Sequence, residues 1–241
     1  MKNVLIFSVL ASFLLTSCVL VFDKTKVKGS GTVTMEQREV SPFDKIVVCG
    51  VFTVYLSQGE TESVEVEIDD NLQQYVEVRN EGHKLVLDVK NHINFVKTTK
   101  NNVYISLKNI DLLDVSGVCK LQASGSLNCD QLTFKVSGVA NGELELYCNK
   151  LNVNLSGVAH IELRGETTEL DVKQSGVGNF DAMNLNAAKV TVVNSDVGSV
   201  SVYATQELSM INSGVGSITY SGDAEIKTME SSGIGKITKA K

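Results

Sequence analysis

The feature that most restricts how this chain can fold is a short phrase that returns at a nearly fixed interval. VSGV, VSGV, LSGV, QSGV, NSDV, NSGV and SSGI place their third residue at Gly117, Gly138, Gly157, Gly176, Asp196, Gly214 and Gly233, with spacings of 21, 19, 19, 20, 18 and 19 residues. An earlier variant, VCGV around Gly50, precedes the array. A period of this size marks a stacked architecture. One unit of about twenty residues cannot enclose its own apolar side, but copies laid on one another at the ~4.8 Å strand spacing can.

Within each interval the residues alternate. Leu132, Phe134 and Val136 of LTFKV point one way and Thr133 and Lys135 the other, and LNVNL, LDVKQ and VTVVN repeat the pattern. A second apolar column falls three residues after the valine, at Leu121, Ile161, Phe180, Val200, Ile218 and Ile237. Gly142 interrupts it, with Leu144 as the substitute. The spacing therefore predicts an all-β fold, a parallel, right-handed β-helix of 19- to 20-residue coils over 112–241. Residues 31–111 are β-rich but less regular, with a short helix expected around Asn71 to Tyr75 and a hairpin turning at Glu81-Gly82. No linker separates the two parts, so 31–241 is expected to form a single domain.

Stacking turns equivalent positions into ladders. Val118, Val139, Val158, Val177, Val197, Val215 and Ile234 are expected in the core, beside a serine ladder from Ser116 to Ser232 whose hydroxyls bond one another or the turn backbone. A further column changes from Val136 and Leu155 to Gln174, Asn194 and Asn212, whose amides can stack along the axis. The glycine column is expected at a corner of positive φ. Asp196 then reads as a structural substitute, because Asp tolerates that conformation. A catalytic or calcium-binding carboxylate would want a second acid in register, and the column neighbours of Asp196 are Gly176 and Gly214.

The N-terminus carries a different signal. Lys2 and an apolar run from Val4 to Leu15, too short to span a membrane, read as an export signal over 1–17. Its end, Leu15-Thr16-Ser17-Cys18, resembles the lipobox of bacterial lipoproteins, which implies cleavage before Cys18 and acylation of that residue. Several acyl chains give stable anchoring, at about 0.8 kcal/mol per buried methylene. Residues 18–30 are expected to serve as anchor and tether, and the membrane is an expected partner through acylated Cys18.

Most catalytic classes find no support. The formal charge of −6 and the absence of a Lys/Arg cluster argue against nucleic acid as a partner. No nucleophile elbow, Walker loop or zinc-ligand pair is present, and His83, His92 and His160 share no ligand spacing, so neither metal nor cofactor is expected. Cys129 and Cys148 occupy the same corner of adjacent coils and read equally as a disulfide or as two small buried thiols, while Cys49 and Cys119 do not align. Glu143, Glu145 and Glu162 can cluster, but no basic group is expected in register with them. Trp is absent, and Tyr147, Tyr203 and Tyr220 fall in no common column.

Several segments together carry a family resemblance: GSGTVT, REVSPFDKIVV, GVFTVYLSQG, DDNLQQY, NVYISLKNIDLLDVSGV and the SGV repeats. The chain resembles the family named putative autotransporter adhesin, head GIN domain, a domain of unknown function, over nearly everything after residue 30. The resemblance implies a β-helical fold and a location in the bacterial envelope, for which the lipobox adds lipid anchoring at the outer membrane. The expected role is a non-catalytic display surface that binds an unidentified protein or glycan. A polysaccharide-active β-helix enzyme and a structural envelope assembly component are the alternatives. An acid/base cluster across neighbouring coils would distinguish the enzyme.

Overall fold

The computed structural model describes residues 25–240. The strands in chain order are β1 (Thr25–Lys28), β2 (Val33–Arg38), β3 (Lys45–Val48), β4 (Val51–Gln58), β5 (Ser63–Asp69), β6 (Val76–Glu81), β7 (Lys84–Val89), β8 (Ile93–Val96) and β9 (Asn101–Leu107). They continue as β10 (Leu112–Val115), β11 (Val118–Val136), β12 (Val139–Leu155), β13 (Val158–Gln174), β14 (Val177–Asn194), β15 (Gly198–Asn212), β16 (Ile218–Ser221), β17 (Glu225–Ser231) and β18 (Ile237–Lys239). A 3-10 helix, Asp70–Tyr75, stands between β5 and β6. The hairpin β6–β7 turns at Gly82, whose φ is +63.

From β10 onward every neighbouring strand pair is parallel, with register kept from coil to coil apart from local bulges, giving a β-solenoid of about 7 turns of ~19 residues. Copies of the repeat lie on equivalent residues: Phe134 pairs with Val153, Val153 with Val172 and Val172 with Val192. The alternation observed in the sequence sets what is inside. Leu132, Phe134, Val136, Leu121, Ile161, Phe180, Val200 and Ile218 are all buried. Leu144 is buried as well, while Gly142 sits in register with Leu121 and Ile161. The VCGV variant is itself a corner, since β4 pairs with β11 through Val51 and Val118.

The N-terminal part closes the first coil. Strand β7 pairs with β3 and β9 with β4, and β5, β2 and β6 add antiparallel strands around them. Asp69 fixes this end. Fully buried, its carboxylate accepts bonds from the Gly31 amide (2.7 Å), the Thr99 amide (2.8 Å) and the Thr99 hydroxyl (2.9 Å). Burial alone would push its carboxyl up, but those bonds outweigh it and hold the group below the usual carboxylate range. Part of the expected tether is not a tether: β1 pairs in parallel with β8, and Val27 packs against the core. Cys18 and the export signal lie outside the described residues.

Two sequence expectations are overturned at the corners. The valines of the repeated phrase do not enter the core; from Val118 to Val215 they are 44 to 54% exposed, and Ile234 is 83% exposed. The residue after the valine goes inside instead, as Cys119, Ala140 and Ala159. The corner glycines are also not there for a positive φ, which none of Gly117, Gly138, Gly157, Gly176, Gly214 and Gly233 adopts. Their missing side chain is needed for contact between coils. A Cβ on Gly138 would lie 2.0 Å from the Gly117 carbonyl oxygen, one on Gly157 2.0 Å from that of Gly138, and one on Gly176 2.1 Å from that of Gly157.

Asp196 follows from the same contact. In the other coils the valine amide bonds the preceding corner glycine, as Val158 to Gly138 (2.9 Å) and Val177 to Gly157 (2.9 Å). At Asp196 the Val197 amide instead donates to the Asp196 carboxylate (2.9 Å), and regular pairing of β14 with β15 begins one residue later, at Gly178 and Gly198. The added Cβ opens one rung of the ladder and its carboxylate caps the freed amide. The expected left-handed conformation is not adopted: Asp196 is not among the residues of positive φ.

Candidate interaction face

Because the corner valines alternate with inward residues, stacking aligns them on the outside as one continuous stripe. Val51, Val118, Val139, Val158, Val177, Val197, Val215 and Ile234 form it, one per coil. The register sets their separation at about 4.8 Å per coil, so the stripe runs roughly 34 Å from end to end. The serine column borders it on one side. There the Ser116, Ser156 and Ser195 hydroxyls bond the carbonyls of Val48, Val136 and Gln174 in the preceding coil, at 3.3 to 3.4 Å, rather than one another. The other border is an exposed polar column, Lys120, Asn141, His160, Asn179 and Ser199. Isolated exposed valines are ordinary, but a long apolar row rimmed by polar residues marks a contact surface.

At its N-terminal end the stripe opens into a cavity of about 480 Å³. Cys49, Val51 and Val118 form one wall, and Lys90, His92 and Phe95, from β8 and the segment leading into it, form the other. The sequence held a signal for the whole face. Extending strict alternation through the phrase, from Val136 by way of Gly138 to Ala140, puts Val139 on the opposite side.

The acidic cluster is real but differently composed from expectation. Arg164 lies in register with Glu145 and pairs with Glu162 (3.1 Å) and with Glu143, so a basic group does accompany these acids. Glu145 accepts a bond from the Tyr147 hydroxyl (3.1 Å). Each carboxylate is thus engaged by a neighbour, the arrangement of a surface ion-pair network. Among the described residues no group of three or more His, Cys, Asp or Glu is gathered to hold a metal. Cys129 and Cys148 are directly paired across β11 and β12, and both are free thiols. Cys119 points inward, and burial, only partly offset by a bond to the Val54 backbone, pushes its thiol up to about 12. Cys49 occupies the position before the first corner glycine, Gly50.

Residues 42–224 match the family described as putative auto-transporter adhesin, head GIN domain. The chain belongs to this family. In structure it is similar to a putative adhesin from Bacteroides fragilis, with a TM-score of 0.86, 27% identity and coverage of 89% of this chain and 100% of the other. A putative adhesin from Parabacteroides merdae (TM-score 0.67, 23% identity, 90% and 99% coverage) and a putative lipid binding protein from Parabacteroides distasonis (0.61, 23%, 90% and 100%) share the fold. No curated protein matches the chain. Membership in the head GIN domain family supports a non-catalytic, adhesin-like role at the cell envelope or surface. Among the described residues no helix is long and apolar enough to cross a membrane.

Proposed function

We propose that this head GIN domain protein is a non-catalytic display module of the bacterial outer membrane, anchored through acylated Cys18, that binds a protein partner along its valine stripe. The observation that carries this reading is the stripe itself: eight branched apolar side chains exposed one per coil, those from Val51 to Val177 held in line by the strand pairing. A protein surface suits it better than a glycan, because the chain has no Trp and Tyr147, Tyr203 and Tyr220 lie off the stripe, leaving no aromatic platform on it. The acids that an enzyme would need are taken up by Arg164 and Tyr147. Anchoring at Cys18 is supported by the lipobox, and β1 begins a few residues beyond it, which would hold the solenoid close to the membrane.

The test uses the soluble portion from about residue 22, presented to a glycan array, to phospholipid vesicles and, in pull-downs, to surface proteins. A Val139→Lys/Val158→Lys/Val177→Lys variant should keep its thermal midpoint and lose protein binding at least ten-fold. Retained binding by that variant, binding only to glycans or vesicles, or steady turnover of a polysaccharide would each reject the reading.

A further inference from the structure

Cys129 and Cys148 are placed side by side by the register of β11 and β12, and the same column continues as Thr167 and Ala187 in the next two coils. Strand spacing sets their Cα atoms about 4.8 Å apart, inside the range that a disulfide spans. Both side chains are half-buried and border an open cavity of about 300 Å³ shared with Tyr147, Asn149, Glu166 and Thr167. That opening admits a small thiol or disulfide. The Cys148 sulfur lies 3.5 Å from the Thr167 hydroxyl.

We propose that Cys129 and Cys148 form a redox-active dithiol that exchanges with external low-molecular-weight disulfides and, once oxidised, bolts two successive coils together. The two sulfurs are not equivalent. The neighbouring Cys129 thiol, opposed by burial and assisted by Thr167, lowers Cys148, whereas the neighbouring Cys148 together with burial pushes Cys129 up. Asp130 raises both thiols and Asp111 raises Cys129, and Glu166 and Tyr147 are the other titratable groups on the cavity wall. Cys148, whose sulfur has the Thr167 hydroxyl 3.5 Å away, is the attacking thiolate and Cys129 the resolving thiol.

The exchange balances without any further reagent. The Cys148 thiolate attacks one sulfur of the external disulfide, forming a mixed disulfide and releasing one thiolate. Cys129 then gives its proton to solvent and attacks the Cys148 sulfur, releasing the second thiolate. The dithiol is oxidised to a disulfide, and the external disulfide is reduced to two thiols once these take up the two protons.

The experiment exposes the full folded chain to glutathione disulfide at neutral pH, traps the remaining thiols and maps the peptides by mass spectrometry. The wild type should yield a Cys129–Cys148 bridge that dithiothreitol reverses. Cys129→Ser should stop at a glutathione adduct on Cys148, and Cys148→Ser should react at Cys129 at least ten-fold more slowly. Serine is tolerated here because Thr167 already fills the column in the next coil. A bridge to Cys49 or Cys119, a stable adduct on Cys148 in the wild type, equal rates in the two variants, or no reaction would overturn the proposal.

Discussion

The early and late coils of the solenoid make the same corner with different chemistry. In the early coils the residue before the serine is apolar, as Val115, Val136 and Leu155, and the residue after the valine is Cys119, Ala140 or Ala159. In the late coils both positions change together, to Gln174, Asn194 and Asn212 before the serine and to Gly178, Gly198 and Gly216 after the valine. The amide in each late coil reaches across its own corner: Gln174 to the Gly178 carbonyl (3.0 Å), Asn194 to that of Gly198 (2.9 Å) and Asn212 to that of Gly216 (2.8 Å). A side chain at the second glycine would collide with what now fills the space, since a Cβ on Gly198 would lie 1.7 Å from the Gln174 amide nitrogen and one on Gly216 1.6 Å from the Gly198 carbonyl oxygen. One corner is sealed by hydrocarbon and the other by a buried amide with a glycine beside it. The stripe of valines crosses both types unchanged.

The largest effect is expected where the two types agree. Gly157→Ala puts a methyl group against the Gly138 carbonyl, a backbone atom that cannot turn aside, and should cost about 3 kcal/mol or more in chemical denaturation. A cost below about 1 kcal/mol would mean that the coils are not in the contact described. The difference between the corner types is sharpened by Asn194→Val, which installs in a late corner the residue found at Val136. It strands the buried Gly198 carbonyl and removes the 3.1 Å bond to Asn212, and should cost about 2 kcal/mol. If it proved neutral, the amide would be incidental. The smallest effect is expected at the exception. Asp196→Gly exchanges one bond to Val197 for another and loosens the unfolded chain, so stability should change by less than about 1 kcal/mol. Amide exchange at Val197 should nonetheless slow toward that of Val177, because the missing rung is restored.

These differences also show what the sequence could reveal. The parallel stack and its register were legible because the period is nearly constant, and even the column running from Cys129 through Cys148, Thr167 and Ala187 aligns as counted. Hydrophobicity alone places the valine of the phrase inside, whereas backbone parity decides it: Gly138 falls on an inward position and carries nothing, so the apolar residue beside it must face out. The role of the corner glycines was hidden because φ is a local property, while the contact that excludes a Cβ belongs to the preceding coil. Arg164 is hidden for a related reason: Glu162 stands two residues before it on β13, but Glu143 is reached only by carrying the register to β12. The amide column was counted correctly, but of its expected bonds along the axis the structure shows Asn194 to Asn212, with the corner carbonyls taking the rest.

The claim on which the account depends is that identical corners rest on one another in register and turn their valines outward. Nitroxide labels attached at Val118 and, in turn, Val158, Val197 and Val215 test it by pulsed electron paramagnetic resonance. The account predicts full labelling of the folded protein and separations that grow by about 4.8 Å per coil, reaching roughly 24 Å between Val118 and Val215. Labels that attach only after unfolding, or separations that fail to grow with the number of coils, would contradict it.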